Sequence, residues 1–154
     1  MQYWLIKSEP SCYSIDDLKR DKVTSWTDVR NYQARNFLQA MKKGDGLLYY
    51  HSSCDAVGVV GLATVVKEAY PDPTQYDQKS EGYDEKATAE KPRWYTVDVR
   101  FMEKFKQPVS LNDIKNDTKL TGIEVAKQGS RLSVQQVSEV HFNRIVSLAQ
   151  TRSQ

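Results

Sequence analysis

The sequence is poor in the residues from which many enzymes and metal sites are built. Two cysteines (Cys12 and Cys54) and two histidines (His51 and His141) occur in 154 residues. The cysteines form no Cys-x-x-Cys pair and no secreted framework, so each reads as a reduced, half-buried thiol of an intracellular protein. His51 and Cys54 have a spacing that a metal accepts, but no second pair completes four ligands, and hairpin residues are the plainer reading. Without a Gly-x-Gly-x-x-Gly or a Walker loop there is no phosphate cradle of the nucleotide-cofactor folds. The Gly-x-Ser-x-Gly elbow is missing too, and His141, alone on its segment, reads as structural. The longest apolar run, Val57 to Val66, contains Gly58 and Gly61 and is far too short to span a bilayer. The N-terminus lacks the basic-then-apolar pattern of a signal peptide. The expectation is a soluble, cytoplasmic chain with no cofactor and no metal.

Charge of one sign is lacking as well. Lys plus Arg number 22 against 20 Asp plus Glu, a net charge of +2. That balance excludes broad, charge-driven coating of duplex DNA and leaves room only for a local basic patch. Nothing repeats, and the length suits one domain, 1–154, able to bury its own core.

What is present is tyrosine, with 9 Tyr beside 3 Trp. An apolar body with a polar tip suits wet recognition surfaces, and it equally suits β-rich structure. The densest stretch runs from Trp26 to Leu38. Ala34, Phe37, Leu38 and Met41 fall at i, i+3, i+4 and i+7 and form an apolar helical stripe. Tyr32, Arg35, Asn36 and Gln39 share a second face that mixes an aromatic plate, a permanent cation and amides. Such a face can stack on a flat ring, pair a phosphate and read a ring's edge. Packing and loop capping by the same residues is the bland alternative.

Around it, Tyr3 to Ile6 reads as a buried strand stopped by Lys7-Ser8-Glu9-Pro10. Ser14-Ile15-Asp16-Asp17 is a capping box opening a short helix to about Arg20. Val23 to Trp26 is a short strand, and Asn31 is the N-cap of the central helix. Lys42, Lys43 and Gly44 suit that helix's C-terminal end. Gly46 to His51 and Val57 to Lys67 make a hairpin, with Gly58 and Gly61 marking a bend or close backbone approach. Tyr95 to Met102 alternates as a strand, Ser110 caps a helical turn, and Ser138 caps a last helix carrying Phe142, Ile145, Val146 and Ala149. Ser130 to Val134 is extended or turn. Pro71 to Arg93, polar with Tyr76 and Tyr83, is long enough to be a lid or mobile insertion. The expected class is α+β: a small curled sheet or barrel with short helices packed on it.

One catalytic arrangement is open to the residues. Lys22 and Thr24 lie two apart on a predicted strand and would point the same way. A lysine beside a threonine hydroxyl, with Glu9 assisting, would make a hydrolytic nucleophile. A Lys-x-Thr on a solvated strand face is the commonplace alternative.

Longer motifs are more specific. Tyr3-Trp4-Leu5-Ile6-Lys7-Ser8-Glu9-Pro10, Trp26 with Val29 to Asn36, Gly44-Asp45, Tyr50-His51-Ser52, Tyr70-Pro71-Asp72, Pro92-Arg93-Trp94 and Arg131-Leu132-Ser133-Val134 stand in the order seen in EVE-domain proteins. From about Met1 to Leu148 the chain resembles that family. A mild departure is Thr27-Asp28, where the family more often has an acidic residue and a glycine. The resemblance implies a PUA-like bent β-barrel of about five to six mostly antiparallel strands, related to YTH, ASCH and PUA domains. It implies a non-catalytic binding module that takes a modified base of DNA or RNA, modified cytosines leading, into an aromatic-walled pocket by flipping or accepting an unpaired nucleotide. Lys7, Ser8 and Trp26 occupy the matching pocket places. With them Asn31 would read the base edge, Tyr32 would add a stacking face, and His51 and Ser53 would line the mouth or close the hairpin. Arg30, Arg35 and Arg131 would hold phosphates. Tyr70, Pro71, Trp94 and Ser133 would form the rim, Trp94 reading first as packing and Trp4 as core. The rival from another class is an amidohydrolase or nuclease on modified nucleosides, as in some ASCH relatives; a third is a protein-interaction module using the Tyr-rich loop.

Overall fold

The computed structural model describes residues 1–152. Its strands and helices are β1 (Tyr3–Ser8), α1 (Ile15–Asp21), β2 (Val23–Ser25), α2 (Tyr32–Ala40), β3 (Gly46–His51), β4 (Gly58–Pro71), β5 (Tyr95–Ser110), α3 (Leu111–Asn116), β6 (Val134–Val137) and α4 (Glu139–Arg152). Single 3-10 turns occupy Pro73–Tyr76, Thr118–Leu120 and Glu124–Ala126. The six strands form one sheet in the order β2-β5-β4-β3-β1-β6. Its β1–β3 pair is parallel and the other pairs are antiparallel. The expected α+β class is what is found.

β1 and β3 read as unbroken apolar runs because both of their faces are buried. Trp4, Ile6, Leu47 and Tyr49 join the core under α1 and α2. Leu5, Leu48 and Tyr50 join a second core with α3 and α4. The caps follow the side chains that the sequence offers. Ser14 and Ser110 close capping boxes, Asn31 Oδ1 accepts from Ala34 N at 3.0 Å, and Ser138 Oγ accepts from His141 N at 3.1 Å.

Four expectations need correction. Helix α2 ends at Ala40, so Lys42, Lys43 and Gly44 lie beyond it, Gly44 turning into β3 at φ 93°. The cause is Asp45, 2% exposed, whose carboxylate accepts from Lys42 N (2.9 Å) and the Trp4 indole N–H (3.0 Å). β5 runs on to Ser110, well past Met102, with Phe105 and Val109 as buried anchors in an otherwise exposed stretch. Val134–Val137 is a strand, too short and too rich in glutamine to show a period. Pro71 to Arg93 is not a free lid: buried Gln75 binds the backbone of Asp72, Arg93 and Trp94 at 2.8–3.0 Å.

β4 and β5 are long strands of 14 and 16 residues, and their pairing slips register at several points. Each slip bends and twists the sheet. The bend is possible where β4 has no side chain. A Cβ on Gly58 would lie 2.4 Å from Val109 O, and one on Gly61 would lie 2.3 Å from Glu103 O. The sheet therefore curls until its two ends, β2 and the β1–β6 edge, face each other.

Gly61→Ala forces β4 off β5 and costs about 1–3 kcal/mol, the usual range for overpacking. Denaturant unfolding should show the loss as an earlier midpoint at unchanged slope. An unaltered midpoint would remove the close approach as the origin of the curl.

Candidate functional site

Between the two facing ends of the sheet lies a cleft of about 520 Å³. That is within the ~300–1,000 Å³ typical of small-molecule sites. The last residues of β1, Lys7 and Ser8, form one wall with Ser133, which precedes β6. The other wall is β2 with the segment after it, Thr24 to Arg30. Trp26 sits at the back. Its indole is 8% exposed and packs edge-on against Tyr49, centroids 5.5 Å apart at 83°. It is held there because Trp26 N continues the β2–β5 ladder onto Val97 O at 2.9 Å. Trp26 therefore belongs to the buried core as well as to the cleft lining.

Of the residues marked in the sequence, Lys7, Ser8, Trp26, Arg30 and Ser133 border this cleft. Ser8 Oγ donates to Tyr13 O at 2.7 Å, and the Tyr49 hydroxyl donates to the same oxygen at 2.8 Å. Ser8 therefore offers its lone pairs outward. Lys7 is half-buried, and burial lowers its pKa, with Glu124 opposing.

The remaining marked residues are elsewhere. Tyr32 stacks on Trp94 (5.1 Å, 19°), and the Arg35 guanidinium covers the Tyr32 ring at 4.8 Å. Arg93 donates to the Tyr32 hydroxyl, and Arg35 donates to Arg93 O at 3.1 Å. Tyr32, Arg35 and Trp94 thus close a cation–aromatic stack that fastens the end of the long loop. Asn31 is exposed and caps α2. Tyr70 bridges Ser25 (2.9 Å) and Asp98 (2.5 Å), one hydrogen bond back from the cleft, and Pro71 ends β4. Ser53 is exposed at the hairpin tip with φ 54°. His51 borders a different cavity, with Nε2 accepting from Ile15 N at 3.1 Å.

The arginines differ in availability. All five Arg30 donors are committed, to Val29 O, Asp72, Thr74 and, twice, Gly82 O, at 2.7–3.2 Å. Arg30 therefore ties the long loop to the cleft wall instead of waiting for a phosphate. Arg131 is exposed and makes no hydrogen bond or ion pair among the described residues.

Seven cleft residues were not marked as site candidates from sequence: Cys12, Tyr13, Ser25, Thr27, Asp28, Val29 and Glu81. Asp28 had a visible signal. It stands where the resembled family favours glycine, and its backbone is left-handed at φ 68°. Asp28 N donates to the fully buried Asp72 carboxylate at 2.8 Å, which holds that conformation.

Lys22 and Thr24 do not form the expected pair. Lys22 ends α1 at φ 71°, before β2 begins, and only Thr24 borders the cleft. Among the described residues no group of His, Cys, Asp and Glu is placed to hold a metal ion.

Comparison with known proteins gives concordant findings. Residues 2–148 match the model of the EVE domain family. Thymocyte nuclear protein 1 of Gallus gallus is 40% identical over 168 residues, spanning 97% of this chain and 69% of that protein. The human THYN1 protein, solved in complex with 5-methylcytosine-containing DNA, superposes with a TM-score of 0.90 at 37% identity, covering 97% of this chain and 98% of that one. A YTH domain of Zygosaccharomyces rouxii, solved with N6-methyladenosine RNA, shares the fold alone, with a TM-score of 0.57 at 13% identity over 96% and 86% of the two chains. These neighbours agree with the PUA-like arrangement expected from the sequence.

Two predictions test this geometry. Arg30→Ala leaves Asp72 buried at 0% exposure without its cation and should cost about 3 kcal/mol, read by thermal or denaturant unfolding. A loss under about 0.5 kcal/mol would mean that the pair contributes nothing net. Burial holds the His51 pKa below its ordinary value of about 6.5, with Asp16 raising it and Lys104 lowering it further. Only the neutral ring accepts from Ile15 N. The unfolded chain then binds the proton more readily, so this stability is complete above about pH 6.5 and declines as pH falls towards the folded value. His51→Gln should flatten that part of the stability–pH curve; an unchanged slope would contradict it.

Proposed function

The chain belongs to the EVE domain family, and from that premise we propose that it binds nucleic acid carrying a modified base, with 5-methylcytosine in DNA as the best-supported target. The carrying observation is the cleft at the sheet's seam, base-sized and lined by Lys7, Ser8, Thr24, Trp26 and Ser133. Its support from relatives is human THYN1 with 5-methylcytosine-containing DNA.

The base is taken unstacked, most cheaply from a single strand or a mismatch. It enters between the β1–β6 edge and β2. Ser8 presents acceptor lone pairs, and the Asp28 and Glu81 carboxylates on the far wall accept from exocyclic amino groups. Those two acids also repel phosphate. The strand backbone is therefore held on the opposite side, where Lys7 and the unpaired Arg131 are available. Burying a methyl supplies about 0.8 kcal/mol, roughly a fourfold preference, so stronger discrimination rests on polar groups left unpaired by the wrong base. The hydrolase reading has lost its lysine, since Lys22 is outside the cleft. No described helix is long and apolar enough to cross a membrane. The chicken relative is named a nuclear protein, so we read the chain as intracellular and do not assign it to the cytoplasm.

Equilibrium binding to oligonucleotides differing only in one modified base, measured over a salt series, tests the proposal. At least a fourfold preference for one modification is expected. Lys7→Gln should lower the salt slope by about one. Trp26→Phe, which retains an aromatic ring against Tyr49, should weaken the preference more than it weakens binding. Equal affinity across the panel would reject the assignment.

A further inference from the structure

A second cavity has a volume of about 380 Å³. Residues close in the chain border it and the base cleft in turn. Leu132 borders the second cavity and Ser133 the first. Opposite, Val29 and Arg30 border the cleft, and Gln33 and Phe37 border the cavity. Leu132 and Ser133 are consecutive in the chain, and Gln33 follows Arg30 by three residues at the start of α2. Arg131, exposed and unpaired among the described residues, immediately precedes Leu132 in the chain.

The lining has the chemistry of a base site. Gln33 and Phe37 are four apart on α2 and share a face. Phe37 is half-buried, backed by Trp4 with centroids 5.6 Å apart, and Gln33 is exposed with no side-chain hydrogen bond among the described residues. The third observation is Gln135, fully buried on β6 and bordering the same cavity. Its amide nitrogen donates to Leu132 O at 2.8 Å and to Ser130 Oγ at 3.4 Å. Leu132 O can only accept, which fixes the nitrogen on that side and the oxygen on the other. That oxygen, Oε1, has no donor among the described residues. A buried acceptor without a donor is a standing cost that a ligand's N–H or O–H would remove.

We infer that this second cavity receives the nucleotide adjacent to the captured base, stacked on Phe37 and read by the amides of Gln33 and Gln135, with Arg131 on the phosphate between the two. The inference rests on the base-capture reading of the neighbouring cleft. It makes the protein sensitive to the sequence next to the modification.

The test keeps the preferred modified base fixed and makes the nucleotide on its 5′ or its 3′ side abasic. Dissociation constants are compared for the wild type and for Gln33→Ala, an exposed position whose loss leaves the core intact. One of the two abasic strands should bind about tenfold more weakly. Gln33→Ala should shrink that neighbour dependence and leave the preference for the modified base unchanged. Parent-like binding of both abasic strands, with the modified base still preferred, would overturn the subsite alone. Loss of the modified-base preference in the parent strand would bring down the cleft assignment and this subsite with it.

Discussion

The approach of β4 to β5 at Gly58 and Gly61 is the constraint from which the rest of the molecule follows. Backbone oxygens of Val109 and Glu103 occupy the space of two missing Cβ atoms. Two long strands can then slip register and curl rather than lie flat. Curling brings β2, at one end of the strand order, opposite the β1–β6 edge at the other. The ladder is not continued across that seam, and the cleft is the gap it leaves. An unpaired sheet edge is ordinarily a liability. Here two edges face one another across a slot, so their terminal side chains, Lys7, Ser8, Thr24 and Ser133, become its lining.

A buried charge holds the seam's far wall in shape. Asp72 is fully buried and accepts from Asp28 N, Arg30, Thr74 N and the Thr74 hydroxyl. Because a carboxylate this deep must have its lone pairs filled, breaking any one contact leaves the others to carry an uncompensated charge. Through Arg30 it fixes Gly82, where a Cβ would lie 2.5 Å from the guanidinium Nη2. Through Asp28 N it imposes a left-handed backbone on a residue that has a Cβ. The long polar segment after Pro71 thus forms part of the cleft's frame, and the left-handed turn carries a side chain, Asp28, bordering the cleft where the resembled family usually has a bare glycine.

Much of this was legible where a local rule acts. Ser14, Asn31, Ser110 and Ser138 announce helix starts because a cap uses its own side chain within three residues. Gly58 and Gly61 announced a bend, and motif order singled out Lys7, Ser8, Trp26 and Ser133, which border the cleft. What failed to show is what depends on distant partners. The end of α2 is set by Asp45, whose carboxylate is also needed by Trp4 from β1. Arg30 and Arg35 look like free cations in the sequence; their acceptors lie more than fifty residues downstream, at Gly82 and Arg93. β6 carries two glutamines in four residues and is a strand only because β1 offers it an edge.

That commitment of cations decides what kind of recognition remains. The net charge is +2, and Arg30, Arg35 and Arg93 are engaged within the fold. Non-specific affinity grows with the number of phosphates neutralised, so a surface with few uncommitted cations near its cleft binds the polyanion weakly by charge alone. Burial lowers the Lys7 pKa from its ordinary value, with Glu124 opposing. On the proposed reading, affinity would come from groups that touch the base: the Trp26 ring, hydroxyl lone pairs and two carboxylates that penalise a phosphate in the same place. Such an interface, poor in coulombic attraction and rich in directional acceptors, would gain little from bulk nucleic acid and discriminate at one base.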